Sequence, residues 1–128
     1  MSDKKVRIGC ASGFYGDSQL SARQLVEKGD IDYLVFDYLA EVTMSLLAGA
    51  KLRKPKTDYA LDFVQVMKLL LGEVAKQGIK VVANAGGVNP LACRDAMQQA
   101  VDAAGLKLKV AAVLGDDLIP QQEAIRSS

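Results

Sequence analysis

Polar and acidic residues recur in this sequence just past short apolar runs. Ser12, Gly13 and Asp17 follow residues 6–10, and Asp37 and Glu41 follow residues 33–36. Asn84, Gly86, Gly87 and Asn89 follow residues 79–83, and Asp116 and Asp117 follow residues 108–114. Carboxylates in such positions can act as general acids or bases, or supply oxygens to Mg²⁺ or Mn²⁺. The paired glycines ahead of a helix start let backbone amides converge on a phosphate or carboxylate. Each residue also has a purely structural use. An acid in a first helical turn favours the helix dipole, and a glycine suits a tight turn. Taken singly, each acid reads as a cap; taken together, the acids read as one polar pocket.

Elements that would gather these residues follow from periodicity. The runs at 6–10, 33–36, 79–83 and 108–114 are short, apolar and bounded by turn residues, so they predict four strands. Between them lie helical patterns. Asp17 or Ser18 caps the first, which Gly29 stops; Glu41 opens the second, which breaks near Gly49. Thr57 or Asp58 caps a long third helix that carries Phe63, Met67, Leu70 and Val74 on one face and ends at Gly78. Asn89 as N-cap with Pro90 behind it starts a fourth, ending at Gly105. The order βαβααβαβ predicts one α/β domain over residues 1–128, with a parallel sheet flanked by helices in a Rossmann-like, doubly wound three-layer sandwich. Part of a (β/α) barrel has the same order of elements. In such folds ligands bind outside the carboxyl ends of the strands, where the polar loops fall.

Composition narrows the chemistry. The chain has 128 residues, half of them apolar and 24% charged, which is enough for one real core. A net charge of +1 provides no general field for nucleic acid or an anionic membrane. With no histidine, the Ser-His-Asp and Cys-His mechanisms and the usual transition-metal sites are excluded within this chain. The two cysteines, Cys10 and Cys93, form no C-x-x-C pair, and both read as structural. Residues 1–6 lack the apolar region of a signal peptide and no run reaches membrane-spanning length, so a cytoplasmic location is expected.

Two weaker patterns stand beside these. Gly9, Gly13 and Gly16 precede a helix and Asp37 ends the second strand, as in a nucleotide-binding module, but the spacing is G-x-x-x-G-x-x-G rather than G-x-G-x-x-G. Lys51, Arg53, Lys54 and Lys56 around Pro55 form a basic connection that reads as solvated, with a phosphate contact toward a CoA-type ligand as the lesser reading.

At the loop residues the chain resembles a known family. The strings VRIGCASGF at 6–14 and DYLVFDYLAEVTM at 32–44 look like the opening of the acyclic terpene utilisation AtuA family. So do Asp62-Phe63, VVANAGG at 81–87 with Asn89-Pro90, and GDDL at 115–118. The resemblance implies a cytosolic protein linked to degradation of acyclic terpenes alongside acyl-CoA catabolism. It implies a pathway rather than a reaction. Family members are several times longer, so this chain is expected to be the N-terminal portion of an enzyme, with its remainder or a second copy covering the sheet edges. The resemblance carries over no catalytic residues of its own, but its motifs fall on the strand-end positions, where Asp37, Glu41, Asp116 and Asp117 are the expected catalytic residues. Ser12, Gly13, Asp17, Asn84, Gly86, Gly87 and Asn89 are the expected substrate contacts. Mg²⁺ or a CoA thioester is the expected cofactor, a small acyl-CoA the substrate, and a homo-oligomer or an additional C-terminal domain the completing partner. The rivals are a non-catalytic assembly or regulatory subunit and a nucleotide-binding module.

Overall fold

A computed structural model describes residues 3–39, 41–53 and 58–128, without the side chains of residues 41 and 50–53. Three strands form one open parallel sheet in the order β1-β2-β3: β1 (Ile8–Ser12), β2 (Tyr33–Phe36) and β3 (Lys80–Ala83). Five α-helices accompany them among the described residues: α1 (Ser21–Lys28), α2 (Glu41–Arg53), α3 (Leu61–Gln77), α4 (Pro90–Ala103) and α5 (Gln122–Ser127). This is the expected α/β class, an open parallel sheet with flanking helices. No helix among the described residues is long and apolar enough to cross a membrane.

The middle strand sets the register. Tyr33, Leu34 and Val35 lie opposite Ile8, Gly9 and Cys10 on one side, and opposite Lys80, Val81 and Val82 on the other. Strand residues alternate between faces, and here the alternation separates inside from outside. Gly9, Ala11, Leu34 and Phe36 are buried, whereas Ile8 is 66% and Val82 55% exposed. The buried face packs against helices. Gly9 lies against Leu25 of α1, Phe63 of α3 meets Phe36 edge to face at 5.2 Å, and Gln77 Nε2 of α3 donates to Val26 O of α1 at 3.0 Å. Helix α4 packs on α3. Strands that follow one another in spatial order, joined by right-handed crossovers, carry their helices on one face. The face with Ile8, Cys10 and Val82 stays exposed.

Local expectations are met where caps are strong. Asn89 is the N-cap of α4, with Pro90 behind it, and its Oδ1 accepts from Ala92 N at 3.2 Å. Elsewhere tertiary contacts shift the boundaries. Helix α1 begins at Ser21, because Ser18 Oγ accepts from the amides of Leu20 and Ser21 while Asp17 folds back onto Gly13 N. Gly29 ends α1 with a negative φ, and the left-handed residue is Asp30 (φ 48°). Helix α2 runs through Gly49 to Arg53. Thr57 and the basic residues from Lys54 to Lys56 lie outside the described residues, as do the side chains of Lys51 and Arg53. Helix α3 starts after Ala60, and Asp58 does not cap it.

One strand expectation needs correcting. Residues 108–114 do not join the sheet, and among the described residues no main-chain hydrogen bond links them to β3. They keep a strand's alternation: Leu106, Leu108, Val110 and Ala112 are partly buried, and Lys107, Lys109, Ala111 and Val113 exposed. A side chain anchors the segment to α4 instead. Gln98 of α4 donates from Nε2 to Leu108 O at 3.3 Å and accepts from Val110 N at Oε1 at 3.1 Å. Its amide pairs one edge of the segment, the edge away from β3.

Leu34, 0% exposed at the centre of the sheet, tests this packing most directly. Leu34→Ala should cost about 2–5 kcal/mol of stability in urea unfolding, the range for a buried leucine whose cavity cannot collapse. Ile8→Ala, on the exposed face, should cost well under that.

Candidate functional site

Main-chain and side-chain bonds stitch together the carboxyl ends of the three strands. Asp37 N donates to Ser12 O at 3.2 Å, and Ser12 Oγ donates to Asp37 O at 3.5 Å. Asn84, just past β3, reaches across to β2. Its Oδ1 accepts from Tyr38 N at 2.7 Å and its Nδ2 donates to Asp37 Oδ1 at 2.7 Å. Asp37 is exposed, so a carboxylate fixed at one oxygen meets solvent at the place where parallel α/β folds bind ligands. Hydrogen bonds to a charged acceptor are roughly twice as strong as neutral ones, so this contact orients the acid well.

The first loop folds beside this pair. Gly13 N donates to Asp17 Oδ2 at 2.9 Å, closing the turn, and Asp17 N donates to Phe14 O at 3.2 Å. Tyr15 then lies edge-on to Tyr38, with ring centroids 6.1 Å apart, and its hydroxyl hydrogen-bonds the Asp62 carboxylate in the first turn of α3. Tyr38 stacks on Phe36 at 5.8 Å and meets Phe63 edge to face at 6.2 Å. Burial first, then the charge of Asp62 and the Tyr15 phenol, push the Tyr38 hydroxyl up to about 12. Burial and Asp62 raise Tyr15 as well. Tyr15 belongs to the first polar loop read from the sequence, whereas Tyr38 and Asp62 were not read as site residues. Tyr38 directly follows Asp37, and Asp62 stands in one of the strings that carry the family resemblance. Asp62 lies too far along the chain for spacing to reveal it.

The turn at residues 84–89 is built mostly for packing. Gly87 has φ 53°, and a Cβ there would come within 2.5 Å of Leu47 Cδ1 and 2.8 Å of Asp58 O. A Cβ on Gly86 would come within 2.8 Å of Pro90. The amides of Gly87, Val88 and Asn89 go to the carbonyl oxygens of Asn84, Asp58 and Gly86. Asn89 also turns inward, its Nδ2 donating to Asp58 Oδ1 and Oδ2 at 3.2 and 3.3 Å. Asp58 is 1% exposed and is the second acid that sequence reasoning misplaced, as a helix cap. Its partner lies 31 residues away, and no local pattern points there.

The expected site residues therefore fall into groups. Ser12, Gly13, Asp17, Asp37 and Asn84 come together over the strand ends. Gly86, Gly87 and Asn89 form the packed turn beside them. Asp116 borders a cleft that Asn84, Gly86 and Gly87 also line, while Asp117 accepts from Ile119 N at 3.0 Å and is not on its wall. The Glu41 side chain lies outside the described residues. The cleft, about 810 Å³, runs along β3 opposite residues 108–114 over Met67, Leu71, Val74, Met97 and Val101. Among the described residues no three Asp, Glu or Cys side chains converge as a metal-ligand set. Cys10 is exposed and Cys93 buried, and burial pushes the Cys93 thiol up to about 11.

Spectrophotometric titration checks the aromatic cluster. The Tyr38 phenol is held above its unfolded value near 10, so the folded state favours the protonated form. That contribution to stability is present below pH 10 and fades as pH rises toward about 12. A tyrosine ionising near pH 12 should be seen in the native protein and disappear in Tyr38→Phe.

Comparison with known proteins bears on the whole stretch. The model of the acyclic terpene utilisation family protein AtuA matches residues 6–128. No curated protein and no solved structure matches the chain. A match of that extent, over both the strands and the loops that carry the polar cluster, means that the chain belongs to the acyclic terpene utilisation AtuA family.

Proposed function

We propose that this chain is part of an enzyme of CoA-linked acyclic terpene catabolism, reacting at the carboxyl ends of its strands. The observation that carries the reading is the exposed Asp37 carboxylate, fixed by Asn84 at 2.7 Å within a chain of the AtuA family. A carboxylate held in this way suits a general base that removes a proton beside a thioester carbonyl. It equally suits Mg²⁺, which needs only one or two carboxylates and completes its shell with water or substrate oxygens. Ser12, Gly13 and Asp17 would then line the substrate, with Asn84 orienting the acid. Asp116 borders the adjacent cleft and would supply a second acid, with Glu41 and Asp117 as further oxygens. For an anionic group on the substrate, the start of α4 with Gly86, Gly87 and Asn89 offers a favourable dipole. The strand-end cluster carries more of this reading than that turn, whose amides are already given to carbonyl oxygens. The enzyme acts on a small acyl-CoA in the cytoplasm, as a homo-oligomer or with a further domain.

A second reading has its own support. The sheet face bearing Ile8, Cys10 and Val82 is apolar and exposed, as it would be in a non-catalytic assembly subunit.

A thermal-shift series with Mg²⁺, CoA, short and terpenoid acyl-CoAs, and adenine nucleotides separates these readings. An acyl-CoA at 100 times its Kd should add about 2.7 kcal/mol, several degrees in a domain of this size. The shift should vanish in Asp37→Asn and in Asn84→Ala, both still folded. An acyl-CoA shift that both variants retain, or no shift in the wild type, contradicts the proposed site; the latter together with self-association favours the assembly subunit.

A further inference from the structure

The cleft beside β3 is walled on both sides by polypeptide backbone. Among the described residues strand β3 is hydrogen-bonded only to β2, so every second N–H and C=O along its other edge faces the cleft. Opposite lies the extended segment 108–114, each of whose residues lines the same space. Successive residues of an extended chain offer their main-chain groups to opposite edges. Gln98 takes Leu108 O and Val110 N in the pattern by which one residue of a parallel strand pairs with its neighbour. Gln98 is not on the cleft wall, so the edge it occupies is the outer one. Lys109 and Ala111 are left to offer their main-chain groups inward. Among the described residues no hydrogen bond crosses from one wall to the other.

An aliphatic ligand would leave both rows of amides and carbonyls desolvated and unpaired, at a cost for each group. An extended peptide offers main-chain groups along both of its edges and can pair with both walls, as a central strand does with its two neighbours. We propose that the cleft is a strand-addition slot taking an extended segment of a partner polypeptide, parallel to β3. The floor of Met67, Leu71 and Met97 calls for apolar residues at alternate positions of that segment. Charge fixes its other feature. Lys109 stands at the start of one wall with no ion-pair partner among the described residues, whereas Lys80 turns its ammonium over the Tyr33 ring of β2, 5.6 Å from the centroid. The incoming strand therefore carries an acidic residue at its N-terminal end. The slot shares Asn84, Gly86, Gly87 and Asp116 with the strand-end site, but main-chain pairing along β3 does not depend on that site's chemistry.

The test is residue-resolved amide hydrogen exchange on the whole chain with the probe peptide acetyl-Glu-Val-Thr-Val-Thr-Val-amide. Saturating peptide should slow exchange in β3 and at Lys109 and Ala111 by about tenfold or more, since main-chain hydrogen bonds carry the affinity in strand addition. The same peptide with its valines N-methylated should leave those amides unchanged, and the variant Lys109→Glu should need more peptide for the same protection. Three results would overturn the proposal. Neither wall responds to the peptide; octanoate perturbs both walls while the peptide does not, marking a hydrocarbon site; or the walls become protected without peptide as the protein doubles in mass, marking a seat for a second copy.

Discussion

Where the sheet's own ladder stops, the side-chain amide of Asn84 takes over, accepting from Tyr38 N and donating to Asp37 Oδ1, each at 2.7 Å. Parallel strands diverge into loops at their carboxyl ends, and the main-chain groups there lose their partners. Tyr38 is buried, so an unpaired amide on it would carry the full cost of desolvation, about 1–3 kcal/mol. Asn84 removes that cost and in the same contact aims a carboxylate. With Asp37 N on Ser12 O and Asn84 N on Phe36 O, the ends of all three strands are fixed relative to one another. The aromatic cluster of Phe36, Tyr38, Phe63 and Tyr15 then packs on one side of this seam, which brings Asp62 of α3 to the first loop.

Much of this arrangement is visible in the sequence, for identifiable reasons. Residues 33–36 and 79–83 read as strands because an unbroken apolar run of that length fits little else, and α4 is readable because Asn89-Pro90 is a strong start. Asp37 and Asn84 could be placed at strand ends because parallel sheets put polar loops there. What stayed hidden depends on partners far apart in the chain. Asp58 resembles a helix cap until Asn89, 31 residues on, is seen to hold it. Residues 108–114 have every local mark of a strand, but whether a strand joins a sheet is decided by what pairs with it; Gln98 of α4 holds one edge of the segment and the other stays apart from β3. Chain order alone did not show that α1, α3 and α4 would pack together on one face; that follows from the spatial order β1-β2-β3.

The exposed features have a common physical origin. A sheet covered on one face keeps apolar residues such as Ile8 and Val82 in contact with solvent, and a strand bonded on one side keeps a free edge. Natural proteins cover or pair such surfaces. The polar cluster sits at the end of the sheet, where Asn84 also borders the cleft along the free edge of β3. Membership of the AtuA family ties the chain to acyclic terpene utilisation, and the geometry concentrates its fixed acid at a single place.

The central claim, that substrate meets the chain at the Asp37–Asn84 pair, is tested most directly by two-dimensional amide NMR during titration with a terpenoid acyl-CoA. The account predicts that the Asn84 side-chain amide and the backbone amides of Ser12, Gly13 and Asp37 shift first and saturate together. Shifts confined to the exposed sheet face, or to residues 108–114, with the Asn84 side chain unmoved, would contradict it.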